Sequence, residues 1–197
     1  MGAETCPPAD GAMFILVDGN VTECLLQPAL GNQLMADVRT FVRSSDKPVY
    51  GLRSHIGFWR FLVLRHSVAH DQWMVNIVTA EDSRRTVQPL ADRLMDRYPK
   101  VVSVINNITS RKAGVAVGEF EHTLAGSDFI TDKIDGFEFE ISANSFFQTN
   151  SRGAELLFKI VAKYAGLTGS ETVLDLYSGT GIIPILLSEH CKSVTGI

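Results

Sequence analysis

Glu171-Thr-Val-Leu-Asp175-Leu-Tyr177-Ser-Gly179-Thr-Gly181-Ile-Ile-Pro184 decides how this chain is read. An apolar, β-forming run ends in an acid, a glycine-rich turn comes after it, and an apolar helix-like segment comes next. Together these make the first strand, loop and helix of a nucleotide-type βαβ unit. Gly179 and Gly181 lack a Cβ, so the chain can turn sharply and let a ligand lie against its peptide groups. A dinucleotide fingerprint needs a third small residue three positions after the second glycine, where this chain has Pro184. A phosphate-binding loop fails too, because the turn lacks a Gly-Lys-Ser/Thr.

Working outward, residues 151–165 have helical spacing. Leu156, Leu157, Ile160, Val161 and Tyr164 lie on one side, with Glu155, Lys159 and Lys163 as a solvated stripe. Gly166 and Gly169 close that helix. The polar stretch 142–150, interrupted by Phe146-Phe147, marks a boundary. It separates an α+β central domain, residues 1–142, from the start of a Rossmann-like domain, residues 143–197. The fold class is therefore α/β. In the central domain the patterns predict helices over 28–42 and 82–98 and strands over 13–17, 21–26, 58–64, 73–79, 101–108 and 115–120. Asp135-Gly136 between alternating apolar residues is a hairpin signal, since both positions can take the positive φ of a I′ turn.

Composition narrows the class. The chain has 197 residues, 45% hydrophobic and 20% charged, with net charge −4, an ordinary globular balance that advertises no nucleic-acid or membrane partner as a whole. No apolar run is long enough to span a bilayer and no signal peptide is visible, so a cytoplasmic protein without a membrane partner is expected. Cys6, Cys24 and Cys191 are an odd number at unrelated spacings, which predicts reduced thiols and no metal site. Locally the charge differs. Between Arg39 and His66 six cations (Arg39, Arg43, Lys47, Arg53, Arg60, Arg65) face one acid, Asp46, among Phe41, Tyr50, Phe58, Trp59 and Phe61. Cations bind phosphates and aromatics stack on splayed bases, so Arg53, Arg60 and Trp59 are the expected RNA contacts, the alternative being a solvated strand face over an ordinary aromatic core.

A turn led by Asp175 suits a nucleoside with a cationic or amino-acid-like extension, and S-adenosylmethionine is such a ligand. Ile141-Ser-Ala-Asn-Ser-Phe146-Phe147-Gln148-Thr-Asn150, followed by Leu174-Asp175-Leu-Tyr177-Ser-Gly179-Thr-Gly181, resembles the RNA (uracil-5-)-methyltransferase family, as does the segment from Tyr50 to Arg60. The resemblance implies methyl transfer from S-adenosylmethionine to C5 of a uridine in RNA, ribosomal RNA favoured over transfer RNA. It implies that Gln148 and Tyr177 contact the methyl donor, beside Asp175, Gly179 and Gly181. The family's catalytic cysteine and glutamate are expected downstream of Ile197, so none of the present residues is assigned a catalytic role. Neither the family's N-terminal RNA-binding barrel nor an iron–sulfur cysteine cluster is visible. The chain is expected to be a fragment that does not methylate RNA alone. The rival reading is a non-catalytic RNA-binding module with a vestigial cofactor turn; a nicotinamide-dependent oxidoreductase is disfavoured by Pro184 and the Gln148 segment.

Overall fold

The structure, a computed structural model, describes residues 13–16 and 23–197 except 113, 115 and 149. The elements in chain order are β1 (Met13–Leu16), α1 (Ala29–Ser44), β2 (Trp59–Ser67), β3 (Gln72–Thr79), α2 (Arg84–Arg97), β4 (Val101–Ile108), β5 (Phe120–Gly126), β6 (Phe129–Ile134), β7 (Phe137–Ser142), α3 (Ser151–Ala165), β8 (Thr172–Asp175), α4 (Ile182–Leu187) and β9 (Ser193–Gly196). The first five strands form one sheet in chain order. All its pairings are antiparallel except β3 with β4, which α2 connects as a parallel crossover.

Both faces of this sheet are covered, which is why β2 and β3 read as near-continuous apolar runs. On one face Leu34, Met35, Val38 and Val42 of α1 and Val87, Leu90, Ala91 and Leu94 of α2 pack on Leu62, Leu64, Trp73, Val75 and Ile77. On the other, Met74 and Ile105 join a second core built by Ile130, Ile134, Phe139 and Ile141 of the β6–β7 hairpin, Phe147, Phe158 of α3, and Ile182 and Leu186 of α4. The turn of that hairpin has Asp135 at φ 48° and Gly136 at φ 90°, the two positive angles expected of it. Strands β8 and β9 pair in parallel as a separate two-stranded sheet.

Three expectations are corrected. Residues 23–26 form coil and a turn rather than a strand, and β1 pairs with β2 instead. The strand expected over 115–120 begins only at Phe120 and runs to Gly126, because the register with β4 pairs Phe120 with the last residue, Ile108. Helix α3 packs through Ser151, Ala154 and Phe158, at helical spacing, whereas Leu156, Leu157, Ile160 and Tyr164 are exposed. Expectations for residues 1–12 and 17–22, including Cys6, and for residue 115 lie outside the described residues.

One buried carboxyl group ties the large sheet to the β6–β7 hairpin and to α3. Asp132 of β6, 1% exposed, accepts from Ser67 Oγ (3.1 Å), the Ala69 amide (2.9 Å) and Ser151 Oγ (2.6 Å). These donors come from the end of β2, the β2–β3 turn and the first residue of α3. Asp132→Ala orphans the two buried hydroxyls, Ser67 and Ser151, and each buried donor left unsatisfied costs about 1–3 kcal/mol; Ala69 is exposed and its amide can turn to water. Urea unfolding of this variant is expected to show a loss of about 2–6 kcal/mol with an unchanged m-value.

Candidate functional site

The glycine turn begins where β8 ends. Tyr177 takes a left-handed φ of 65°, Gly179 56° and Gly181 77°. Such a φ is free for glycine but costs a tyrosine roughly 1–2 kcal/mol, strain of the kind that concentrates at ligand sites. The turn is tied down on both sides: Ser178 N–H donates to Ile197 O (3.0 Å), Gly181 N–H to Ser178 O (2.9 Å), and Ile185 N–H to Gly181 O (3.0 Å). Pro184 sits buried in the first turn of α4, where its missing N–H needs no partner. Glu171 orders the approach to β8. Its carboxyl accepts from the Thr168 hydroxyl (2.6 Å) and from the amides of Thr168, Gly169 and Ser170 (2.9, 3.1 and 3.1 Å). The Thr168 hydroxyl, with these amides, holds Glu171 well below the usual carboxylate range, at about 2.

The turn leaves room and unmet bonding capacity for a nucleoside-type cofactor. A Cβ built on Gly179 meets nothing within 4 Å, so the space over the turn is open. Tyr177 is 98% exposed. Asp175 Oδ2 is buried and has no hydrogen-bond partner among the described residues, although buried polar groups are almost always paired. An open cradle, an exposed tyrosine and an unpaired carboxyl oxygen fit a ligand with hydroxyl or ammonium donors.

Phe147, buried beside Phe139 at a ring separation of 5.8 Å, shares one core with Ile182 and Leu186 of α4. The residue after it, Gln148, is half-buried and has no hydrogen-bond partner among the described residues. Its loop is anchored by a side chain that sequence reasoning placed elsewhere. Arg65, 7% exposed, donates through Nη2 to Ala143 O (3.1 Å) and Ser145 O (2.6 Å). Burial lowers its pKa from the ordinary arginine value. Asn144 of the same loop donates to Asn107 Oδ1 (2.9 Å) and Glu121 Oε2 (2.8 Å). The available signal was positional: an arginine inside Phe61-Leu-Val-Leu-Arg65 alternates onto a core-facing side of β2.

The expected basic-aromatic surface is largely turned inward. Trp59 and Arg60 are 0% and 1% exposed, and Tyr50, Phe58, Phe61, Arg39 and Arg65 are buried as well. Trp59 and Arg60 therefore present no face to RNA; covered on both sides of the sheet, they act as core. Arg53 is exposed, whereas Lys47 pairs with Glu81 (3.1 Å). Among the described residues no group of three His, Cys, Asp or Glu is placed to hold a metal ion, and no helix is long and apolar enough to cross a membrane. Cys24 is buried and Cys191 half-buried, its thiol donating to Ser193 O (3.4 Å).

No protein-family model matches the chain. It is similar to an uncharacterized RNA methyltransferase of Chlorobaculum tepidum, 40% identical over 175 residues, covering 88% of this chain and 36% of that protein. Similar relatives are uncharacterized RNA methyltransferases of Lactiplantibacillus plantarum (35% identity, 86% of this chain and 37% of that protein) and Nitratidesulfovibrio vulgaris (33%, 90% and 38%). The chain thus spans under two-fifths of the length of these relatives. Among solved structures it resembles the Pyrococcus abyssi tRNA (uracil-54, C5)-methyltransferase in complex with S-adenosyl-L-homocysteine, with a TM-score of 0.72 and 28% identity over 90% of this chain and 42% of that one. The mixed α/β fold is therefore like that of a methyltransferase.

The anchors of the two loops have measurable consequences. Arg65→Ala removes two charge-assisted hydrogen bonds, each worth about 1.5–3 kcal/mol, so amide exchange over residues 143–148 should accelerate at least tenfold while α1 and α2 keep their protection. Glu171 has a depressed folded-state pKa, so its contribution is complete above its unfolded value of about 4.3 and is lost as pH falls toward 2. Acidification through that window should lower the protection factors of the Thr168, Gly169 and Ser170 amides, each rate taken relative to its intrinsic rate at that pH, and Glu171→Gln should abolish this change in protection.

Proposed function

We propose that this chain is the cofactor-side part of an S-adenosylmethionine-dependent enzyme that methylates C5 of a uridine in RNA. The observation that carries the reading is that Phe147, the neighbour of Gln148, and Ile182, the neighbour of Gly181, belong to one hydrophobic core. The open turn, the exposed Tyr177 and the unpaired Asp175 oxygen, in the segment leading into Ile182, support it. The named relatives support RNA methylation, and the Pyrococcus neighbour supports uracil C5 as the target atom. S-adenosylmethionine supplies an electrophilic methyl group on a sulfonium centre.

The chain's own residues hold and orient. Asp175 offers an acceptor at the carboxyl end of β8, where ligands bind in open α/β sheets. Gln148 donates and accepts through one amide, the capacity that an amino-acid moiety or a ribose requires. Tyr177 lays an aromatic face over the turn. Ribosomal RNA remains the favoured substrate over transfer RNA, and binding assays with both decide between them.

Titration calorimetry of S-adenosylhomocysteine against the chain tests the assignment. Binding is expected, weakened about tenfold or more, roughly 1.4 kcal/mol, by Tyr177→Ala and by Gln148→Ala. RNA binding without any cofactor heat would favour the rival reading, a non-catalytic RNA-binding module.

A further inference from the structure

Arg60 is the most deeply buried arginine among the described residues, and it grips a loop that has no part in the cofactor turn. Its Nη1 donates to Thr109 O and to Arg111 O, both at 2.7 Å, and its guanidinium lies 4.2 Å from the centroid of the Tyr50 ring. A buried guanidinium is costly unless its donors are satisfied, so this contact fixes the chain leaving β4 firmly in place. The loop is held further by Thr109 N–H to Thr79 O (3.0 Å) and Arg111 N–H to Thr109 Oγ1 (3.3 Å). What it presents outward is cationic. The Arg111 side chain is 65% exposed and only loosely paired with Glu119 (3.6 Å), whose carboxylate is engaged by the amide and hydroxyl of Ser110, each at 2.8 Å. Lys112 is exposed and has no partner among the described residues.

Two neighbours complete the patch. Tyr50, stacked on the same guanidinium, opens the loop that carries the exposed Arg53, and its hydroxyl meets His55 Nδ1 at 3.4 Å. Phe120, 69% exposed, starts β5 directly opposite Ile108, the residue that ends β4. An exposed aromatic ring beside exposed cations is the combination that binds single-stranded nucleic acid, cations to phosphates and ring to base.

We propose that Arg111 and Lys112, with Arg53 and the Phe120 ring, form a contact site for single-stranded RNA, and that Arg60 is its positioning residue. The site rests on the reading of the chain as RNA-directed but stands apart from the cofactor turn. It also moves the RNA-facing role from the core side of β2 to the loop that β2 braces.

The test is fluorescence anisotropy of a labelled single-stranded oligouridine over a range of salt concentrations. Arg111→Ala/Lys112→Ala lies on an exposed loop and is expected to weaken binding, with the salt slope becoming shallower by about 1.4, at roughly 0.7 per lost phosphate contact. Phe120→Ala should weaken binding with the slope unchanged. Arg60→Ala should reproduce the double variant's slope and add nothing when combined with it, and Arg60→Lys should restore part of the loss. Wild-type binding that the loop variants leave unaltered overturns this site while leaving the RNA reading intact. Absence of any salt-dependent RNA binding by the wild-type chain overturns both. Polyglutamate competing as well as RNA, with Phe120→Ala silent, overturns the RNA site in favour of an anionic protein partner. Retained S-adenosylhomocysteine binding in every variant separates these outcomes from failure of the cofactor assignment.

Discussion

The arrangement depends on the carboxyl group of Asp132. It is buried, and its three donors belong to three segments that are distant from it in sequence or in the fold: the end of β2, the turn after it and the head of α3. Apolar contact between the second core and the sheet supplies cohesion but little direction, since hydrophobic burial is non-directional. The hydrogen bonds supply the orientation. They set where α3 starts, and the loop carrying Gln148 runs into that start.

Strand β2 carries the second constraint. It has a buried guanidinium near each end, Arg60 and Arg65, and both spend their donors on backbone carbonyls of loops rather than on strands. Carbonyl oxygens have no conformational freedom of their own, so a cation that holds two of them fixes the loop backbone directly. One strand thereby sets the position of the Gln148 loop and of the Arg111 loop, at opposite ends of the same rigid sheet.

Local chemistry explains what was legible in the sequence. Asp135-Gly136, the helical spacing of α1 and α2, and the glycine turn with its tolerated Pro184 are all specified by neighbours a few residues apart. Asn150 caps α3 by accepting from Gly153 N–H (2.8 Å), a local signal that the sequence reading did not use. The inward turn of Trp59, Arg60 and Arg65 depends on partners far away in sequence: Trp59 lies in the core under α1 and α2, Arg60 is held by the loop after β4, and Arg65, whose position in β2 was the one local hint, by carbonyls at 143 and 145. The apolar side of α3 failed for the converse reason: spacing identifies a face, but only tertiary packing decides whether it is covered. The late start of β5 comes from its pairing with β4, a non-local choice.

The turn between β2 and β3 is a surface turn, and such turns ordinarily absorb insertions and deletions without consequence. Here Asp71 takes a left-handed φ of 52° and pairs with His66 and Lys100, which pins Arg65 opposite Met74 and Leu64 opposite Val75. Because side chains alternate along a strand, a slip of one residue would bring Arg65 under α1 and α2 and turn Leu64 toward the loop carbonyls. The length of this hairpin is therefore under a constraint that its exposure hides. Over evolutionary time it should vary in residue type but not in residue number.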